Sequence, residues 1–358
     1  MNILYIYDKM PKVYQTYMVD LLKNIKTQLN VTSFAYEKGI NADIQFKTYG
    51  FSDLVQRFLY KINLSNIKSQ DLKIFNRFDI IHIQHSYLFT KLKYFPNSSN
   101  TKTIITLRGA DTYLKPWISK KWNDFYKEKQ NKIAAFITVS KHQKEYLQKW
   151  GVPPEKIYVI PISFGDKSLF KPKSPNKREL KLVSAFRMTW EKNITDCLKF
   201  AKILKKRNID FTYDIYGDGN DLEQVFYLVE KYNLIENISI HGKISNEEFK
   251  SRLVEYDFFL QLSISESLGA TVIEAQSRGI PCLISSTDGL PETIVHNKTG
   301  YILKNDDLDE FCNTCISLWK NKDKYIEFSK NAINNANEKF TINHETNLLI
   351  NLYNQISK

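Results

Sequence analysis

Residues 263–284 read SISESLGATVIEAQSRGIPCLI. The apolar run DFFLQLS just before this stretch has the texture of a buried strand, ATVIEAQSRG that of a helix closed by Gly279, and PCLISS that of a second strand. Nearly continuous apolar strands separated by helices belong to parallel sheets covered on both faces, and such sheets bind ligands beyond the carboxyl ends of their strands. Glu266 falls in the turn at such an end, and Glu274 falls in the second turn of the helix. Between them, Leu268, Gly269 and Ala270 bring backbone N–H groups to a helix start, with Ser267 and Thr271 flanking them as further candidate donor contacts. That combination suits a sugar diphosphate, with amides for phosphate oxygens and carboxylates for hydroxyls. A plainer reading stands beside it: Glu274 and Arg278 have the spacing of an i,i+4 ion pair, and Glu266 is a polar turn residue.

The same texture extends in both directions. NILYIYD, VTSFAY, DIIHIQH, TIITLRG, AAFITVS and IYVIPIS read as strands of a first doubly wound domain, and LKLVSAF, FTYDIYG, NISIHG, DFFLQLS and PCLISS as strands of a second. Between them lies DKSLFKPKSPNKREL, whose Lys, Pro and Ser content is that of a surface connector. The expected domains are residues 1–165, 166–338 and a terminal helix over 339–358.

Three loops after strands of the second half are candidate contacts. RMTWEKN places Arg187 and Lys192 at a strand end before a helix, which is a diphosphate site or two surface cations. IYGDGND supplies Gly217, Asp218 and Gly219, where glycine lets a flat ligand approach the backbone or simply makes a turn. HGKIS offers Lys243 and Ile244 near a base.

Composition narrows the class. The 358 residues are 42% hydrophobic, enough for a packed core in about two domains. No apolar run reaches the length of a spanning helix, and MNILYIYDKM lacks the pattern of a signal peptide, so a soluble cytoplasmic protein is expected. The four cysteines, Cys197, Cys282, Cys312 and Cys315, form no disulfide framework, and the lone C-x-x-C reads as helix packing. Residues 1–170 carry 26 Lys/Arg against 13 Asp/Glu, whereas residues 171–358 carry 25 against 26. A basic first half fits a solvated lysine-rich surface, an anionic membrane, a phosphorylated acceptor or nucleic acid.

The ordered motifs Arg187-x4-Lys192, Glu266-x7-Glu274 and Gly289-x-Pro291-Glu292, with TVSKHQKEYLQKWGVPPEKIYVIP upstream, resemble the family-4 retaining glycosyltransferases of GT-B architecture. The resemblance covers most of residues 130–305 and is fainter toward the N-terminus. It implies two Rossmann-like domains facing a central cleft, acceptor side first and nucleotide-sugar side second, with the last helix crossing back to the first domain. It also implies roles: Arg187 and Lys192 on the donor diphosphate, Glu274 on the ribose hydroxyls, Glu266 on the transferred sugar, and Gly217 to Gly219 with Lys243 and Ile244 around the base. No metal or other cofactor is implied, because fixed cations and helix-start amides stabilise the leaving diphosphate.

The first half departs from the pattern. The loop after the first strand, YDKMPKVYQTYMVDLL, has no glycine and resembles an exopolysaccharide-synthesis subgroup, of whose Ser-Glu-Thr-Phe tetrad only Thr16 and an aromatic, Tyr17, remain. The family's His-Gly is Arg108-Gly109 here. Arg108 then becomes a candidate for an acceptor phosphate or the donor. Asp111 is a candidate acceptor contact or base, or a cap of the following segment, and His82 and His85 are strand-end histidines of either functional or structural use.

The expected function is therefore a retaining, metal-independent glycosyltransferase that moves a sugar, from UDP before GDP, onto a glycan or lipid-diphosphate-linked acceptor of bacterial surface polysaccharide. Peripheral contact with an anionic membrane is expected and nucleic-acid binding is not, since no zinc, RNP or helix-turn-helix signature accompanies the basic residues. A catalytically silent sugar-nucleotide binder of the same architecture is the alternative.

Overall fold

The computed structural model describes residues 1–8, 16–35, 42–45, 74–88, 101–304 and 306–357, with Val55, Phe58, Leu59 and Ile62. It divides into two compact units, Met1–Ile160 with Thr346–Lys358, and Pro161–Glu345.

Among the described residues, the first unit holds β1 (Asn2–Tyr7), β2 (Asn30–Ala35), β3 (Ile44–Gln45), β4 (Ile80–Ile83), β5 (Lys102–Thr106), β6 (Ala135–Thr138) and β7 (Ile157–Val159). They form one parallel sheet in the order β3-β2-β1-β4-β5-β6-β7. The second unit holds β8 (Leu180–Ala185), β9 (Phe211–Tyr216), β10 (Ile238–Gly242), β11 (Phe258–Gln261), β12 (Cys282–Ser285) and β13 (Gly300–Leu303), in the order β10-β9-β8-β11-β12-β13. Every pairing here is parallel too.

Both orders reverse direction once, between β1 and β4 and between β8 and β11. At such a switch point the chains leaving the two strands part to opposite faces, and the crevice between them is where ligands bind. The loops after β8 and β11 are those carrying Arg187, Lys192 and Glu266.

The strand texture has a direct cause. Residues 3–7 of β1 and all of β4, β6, β11 and β12 are buried, so alternation is lost and both faces are apolar. In the second unit one face packs under the helix Ile194–Lys206 through Ile194, Cys197, Leu198, Ala201 and Leu204, at helical spacing. The other face carries Val183, Phe259, Ile284, Val272 and Ala275. Each fully buried Leu, Ile or Phe contributes about 1.5–3 kcal/mol. All four cysteines are buried, and Cys312 and Cys315 fill this core, burial raising the Cys312 thiol to about 11.

The Lys/Pro/Ser-rich stretch is more than a loose connector. The Ser168 N–H donates to Asn337 at 2.7 Å, Lys173 N–H to Ser329 at 2.9 Å, and Asn176 N–H to Asp257 at 2.8 Å. A segment without its own ladder thus has its backbone donors satisfied by the second unit. The helix Ile342–Ile356 ends in the first unit, where Thr346 Oγ1 donates to Asn24 Oδ1 at 2.8 Å and the Tyr353 hydroxyl meets Tyr5 and His82. No helix among the described residues is long and apolar enough to cross a membrane.

Candidate active site

Glu266 is held from every side. Lys192 Nζ pairs with its Oε2, and Gln261 Nε2 donates to the same oxygen at 2.8 Å. Its Oε1 accepts the N–H of Ser267 at 3.1 Å. Its backbone is clamped as well: the Glu266 N–H donates to Asp288 Oδ2 at 3.1 Å, and Gly289 N–H to the Glu266 carbonyl at 3.0 Å. Asp288 reaches this position with φ of 46°, a left-handed conformation that Asp tolerates. The β8 loop is fixed to the same turn, because the Glu191 carbonyl accepts the N–H of Ile264 at 2.8 Å. Lys192 and Glu266 are mostly buried, whereas Arg187 is exposed and makes no side-chain hydrogen bond or ion pair among the described residues.

Gly269 takes φ of 97° at the start of the helix Ala270–Ser277, and a Cβ there would lie 2.6 Å from Leu290 Cδ1. The N–H groups of Leu268, Gly269 and Ala270 find no acceptor among the described residues, as the first turn of a helix leaves them. The Ser267 amide, one residue earlier, is instead spent on Glu266. Thr271 Oγ1 donates to Gln261 Oε1 at 3.3 Å, tying the helix to the side chain that holds Glu266.

Glu274 is buried, with its Oε1 accepting from Asn246 Nδ2 at 2.9 Å and Lys250 Nζ 3.7 Å away. Its Oε2 is buried and has no hydrogen-bond partner. Burial raises the carboxyl pKa against the opposing pull of Lys250 and Asn246. The i,i+4 pair with Arg278 does not form: that guanidinium lies 4.5 Å from the Phe170 ring centroid and donates to Ser277 Oγ at 2.9 Å.

Gly217 and Gly219 have a packing reason. A Cβ at Gly217, whose φ is 130°, would lie 1.9 Å from the Phe186 carbonyl oxygen, and one at Gly219 would lie 2.1 Å from that of Met188. The loops after β8 and β9 therefore run backbone against backbone, with Met188 N–H on the Asp218 carbonyl at 3.0 Å. Asp218 pairs with Lys243 at 2.6 Å, which lowers its carboxyl pKa, and Ile244 packs on the core beneath.

In the first unit, Asp111 is committed to structure. Its carboxylate accepts the N–H groups of Arg108 and Gly109, both at 2.9 Å, and the hydroxyls of Ser86 at 2.5 Å and Thr112 at 3.2 Å. With both oxygens occupied it is a loop staple and not an available base. Arg108 donates through Nη2 to Gln84 Oε1 at 3.0 Å and lies 5.2 Å from the Tyr17 ring centroid. His82 is buried, bridging Tyr353 and Thr106 at 2.7 Å each, and burial lowers its pKa to about 3. It is a core histidine. His85 accepts the Asp8 N–H on Nδ1 at 3.2 Å, and burial with the Arg108 charge lowers its pKa to about 4. Near neutrality it is an uncharged Nε2–H donor with its basic nitrogen already used. The glycine-free loop over residues 9–15 lies outside the described residues.

Spacing alone missed Gln261, Asn246 and Lys250. Gln261 carried a signal, being a polar residue at the end of an otherwise apolar strand.

Residues 166–338 match the profile of the glycosyl transferases group 1, and residues 16–162 that of glycosyltransferase family 4. The peptide N-acetylglucosaminyltransferase GtfA subunit of Streptococcus parasanguinis is 28% identical over 170 residues, 45% of this chain and 32% of that protein. The putative colanic acid biosynthesis glycosyltransferase WcaL of Escherichia coli is 29% identical over 170 residues, 45% of this chain and 41% of that protein. The chain therefore spans less than half the length of these two curated relatives. The crystal structure of Anabaena Alr3699/HepE in complex with UDP superposes with a TM-score of 0.78 at 14% identity, covering 99% of this chain and 100% of that one. The fold is the expected GT-B fold. The two profiles together take in both units, and the chain belongs to the group 1 and family 4 glycosyltransferases.

Proposed function

We propose that the protein is a retaining glycosyltransferase that carries a sugar from a UDP-sugar to a glycan or lipid-diphosphate-linked acceptor in bacterial surface polysaccharide synthesis. One observation carries the reading: Glu274 keeps a buried carboxylate oxygen with no partner beside one that is hydrogen-bonded. An orphaned buried acceptor is costly, and a ribose diol supplies the donors that would satisfy it. The UDP bound in HepE and the colanic acid assignment of WcaL support the donor and the pathway class.

Arg187, Lys192 and the helix-start N–H groups supply positive potential to the leaving diphosphate, the part a metal plays elsewhere. Glu266 has both carboxylate oxygens engaged, which makes it a poor nucleophile. Retention then favours attack on the leaving-group face, with the donor phosphate taking the acceptor proton. The excess of Lys/Arg in residues 1–170 supports an acceptor presented at an anionic membrane. Transfer from a panel of UDP-sugars in EDTA, with proton NMR of the new linkage, tests the reading. An α-linked product from an α-linked donor is expected; a β-linked product contradicts retention, and loss of transfer in EDTA contradicts metal independence.

A sugar-nucleotide binder without turnover is the second reading, favoured by Arg108 at the family's histidine position and its tether to Gln84. Donor binding without transfer to any acceptor selects it.

A further inference from the structure

The first unit presents two adjacent large apolar side chains to solvent: Trp117 is 68% exposed and Ile118 77%. They sit on the short helix Lys115–Ile118, between the turns Ala110–Tyr113 and Lys120–Asp124. This corner is tied down from beneath. The Tyr126 hydroxyl donates to the Asp111 carbonyl and Trp150 Nε1 to the Thr112 carbonyl, each at 2.9 Å. Trp117 itself is oriented by a hydrogen bond from Nε1 to the Tyr146 hydroxyl at 2.9 Å and by edge contact with Trp150, ring centroids 5.1 Å apart. An indole held in place while 68% of it stays exposed is not explained by packing.

The surroundings are basic. Lys115 precedes the pair and Lys120 and Lys121 follow it, all exposed, Lys120 sharing its charge with Asp124 at 2.7 Å, and Lys149 lies 4.4 Å from the centroid of the Tyr146 ring that orients Trp117. An aromatic and a branched aliphatic tip ringed by lysines matches one environment: the boundary of a bilayer rich in anionic lipid. There the indole sits at headgroup level, the aliphatic tip enters the acyl region and the ammonium groups meet phosphate. A water-soluble acidic partner would satisfy the lysines and leave the apolar pair without a reason.

We propose that Trp117 and Ile118, with Lys115, Lys120, Lys121 and Lys149, form the contact of this protein with anionic membrane. The inference rests on the membrane-presented acceptor proposed above, and its test is separable from that reading because nucleotide binding is read in the same samples.

The full chain is sedimented with vesicles of phosphatidylcholine alone and of phosphatidylcholine with phosphatidylglycerol, at low and high salt. Light scattering of the free protein is recorded alongside. Three variants are compared: Ile118→Asp, which touches no packing; Trp117→Ser with Ile118→Ser; and Lys115→Glu with Lys120→Glu. The expected result is binding to the anionic vesicles, weakened by salt, and reduced at least about tenfold by each variant with UDP affinity unchanged. Three results overturn the proposal: no binding to anionic vesicles at low salt, binding indifferent to Ile118→Asp, or self-association of the wild type that Ile118→Asp abolishes, which would assign the patch to a second copy. Loss of UDP binding in the wild type would instead count against the glycosyltransferase reading and leave the vesicle result standing.

Discussion

Lys192 and Glu266 stand 74 residues apart in the chain and form one mostly buried ion pair, joining the loop after β8 to the loop after β11 across the point where the sheet order reverses. Removing either partner leaves the other charge desolvated. Lys192→Ala is expected to cost about 1–3 kcal/mol of stability, read by urea unfolding, and to lower sugar transfer by about 100-fold or more.

Gln261 is buried and donates to Glu266 while accepting from Thr271, so its effect on the site runs through Glu266. Gln261→Leu should lower kcat by about tenfold while leaving UDP affinity within about twofold, because the loss is in orientation and not in binding. An equal loss in UDP affinity would place Gln261 in the nucleotide contact instead.

The loops after β8 and β9 depend on glycine. Gly217→Ala puts a Cβ into the Phe186 carbonyl at a φ of 130°, and is expected to destabilise by about 2 kcal/mol or more. Gly242→Ala is the control: its Cβ would meet nothing within 4 Å, so only the cost of a left-handed residue, about 1 kcal/mol, is expected. Thermal unfolding of the two variants should separate them in that order.

Acid should weaken the first unit through His82 and His85. Both are held neutral in the fold, with pKa values lowered to about 3 and about 4 from 6.5. Below pH 6.5 the unfolded chain binds protons that the folded one refuses, so stability falls as pH falls, by up to about 1.4 kcal/mol per pH unit for each histidine until its folded pKa is reached. His82→Gln should flatten the denaturation profile between pH 6.5 and 4, and an unchanged slope would contradict the account.

Much of this was legible in the sequence because it is written locally. Continuous apolar runs mark strands buried on both faces, and the spacing from Glu266 to Glu274 places one acid in a turn and the other on a helix. What was not legible depends on distant partners. Asn246 reaches Glu274 from 28 residues away, and His82 meets Tyr353 from 271. The spacing of Glu274 and Arg278 permitted an ion pair, but Phe170, supplied by the irregular segment after Ile160, holds the guanidinium elsewhere. Asp111 has the residue type of a base, and only the surrounding N–H groups and hydroxyls reveal that its lone pairs are taken.

Calorimetric titration of UDP in EDTA into wild type, Glu274→Gln and Arg187→Ala tests the central claim most directly. The unpartnered Oε2 of Glu274 and its burial-raised pKa imply that Glu274→Gln is at least as stable as wild type yet binds UDP at least about tenfold more weakly. Arg187→Ala should weaken UDP and leave uridine unchanged. Undiminished UDP affinity in folded Glu274→Gln, or no UDP binding by folded wild type, would contradict the assignment of this site to the nucleotide-sugar donor.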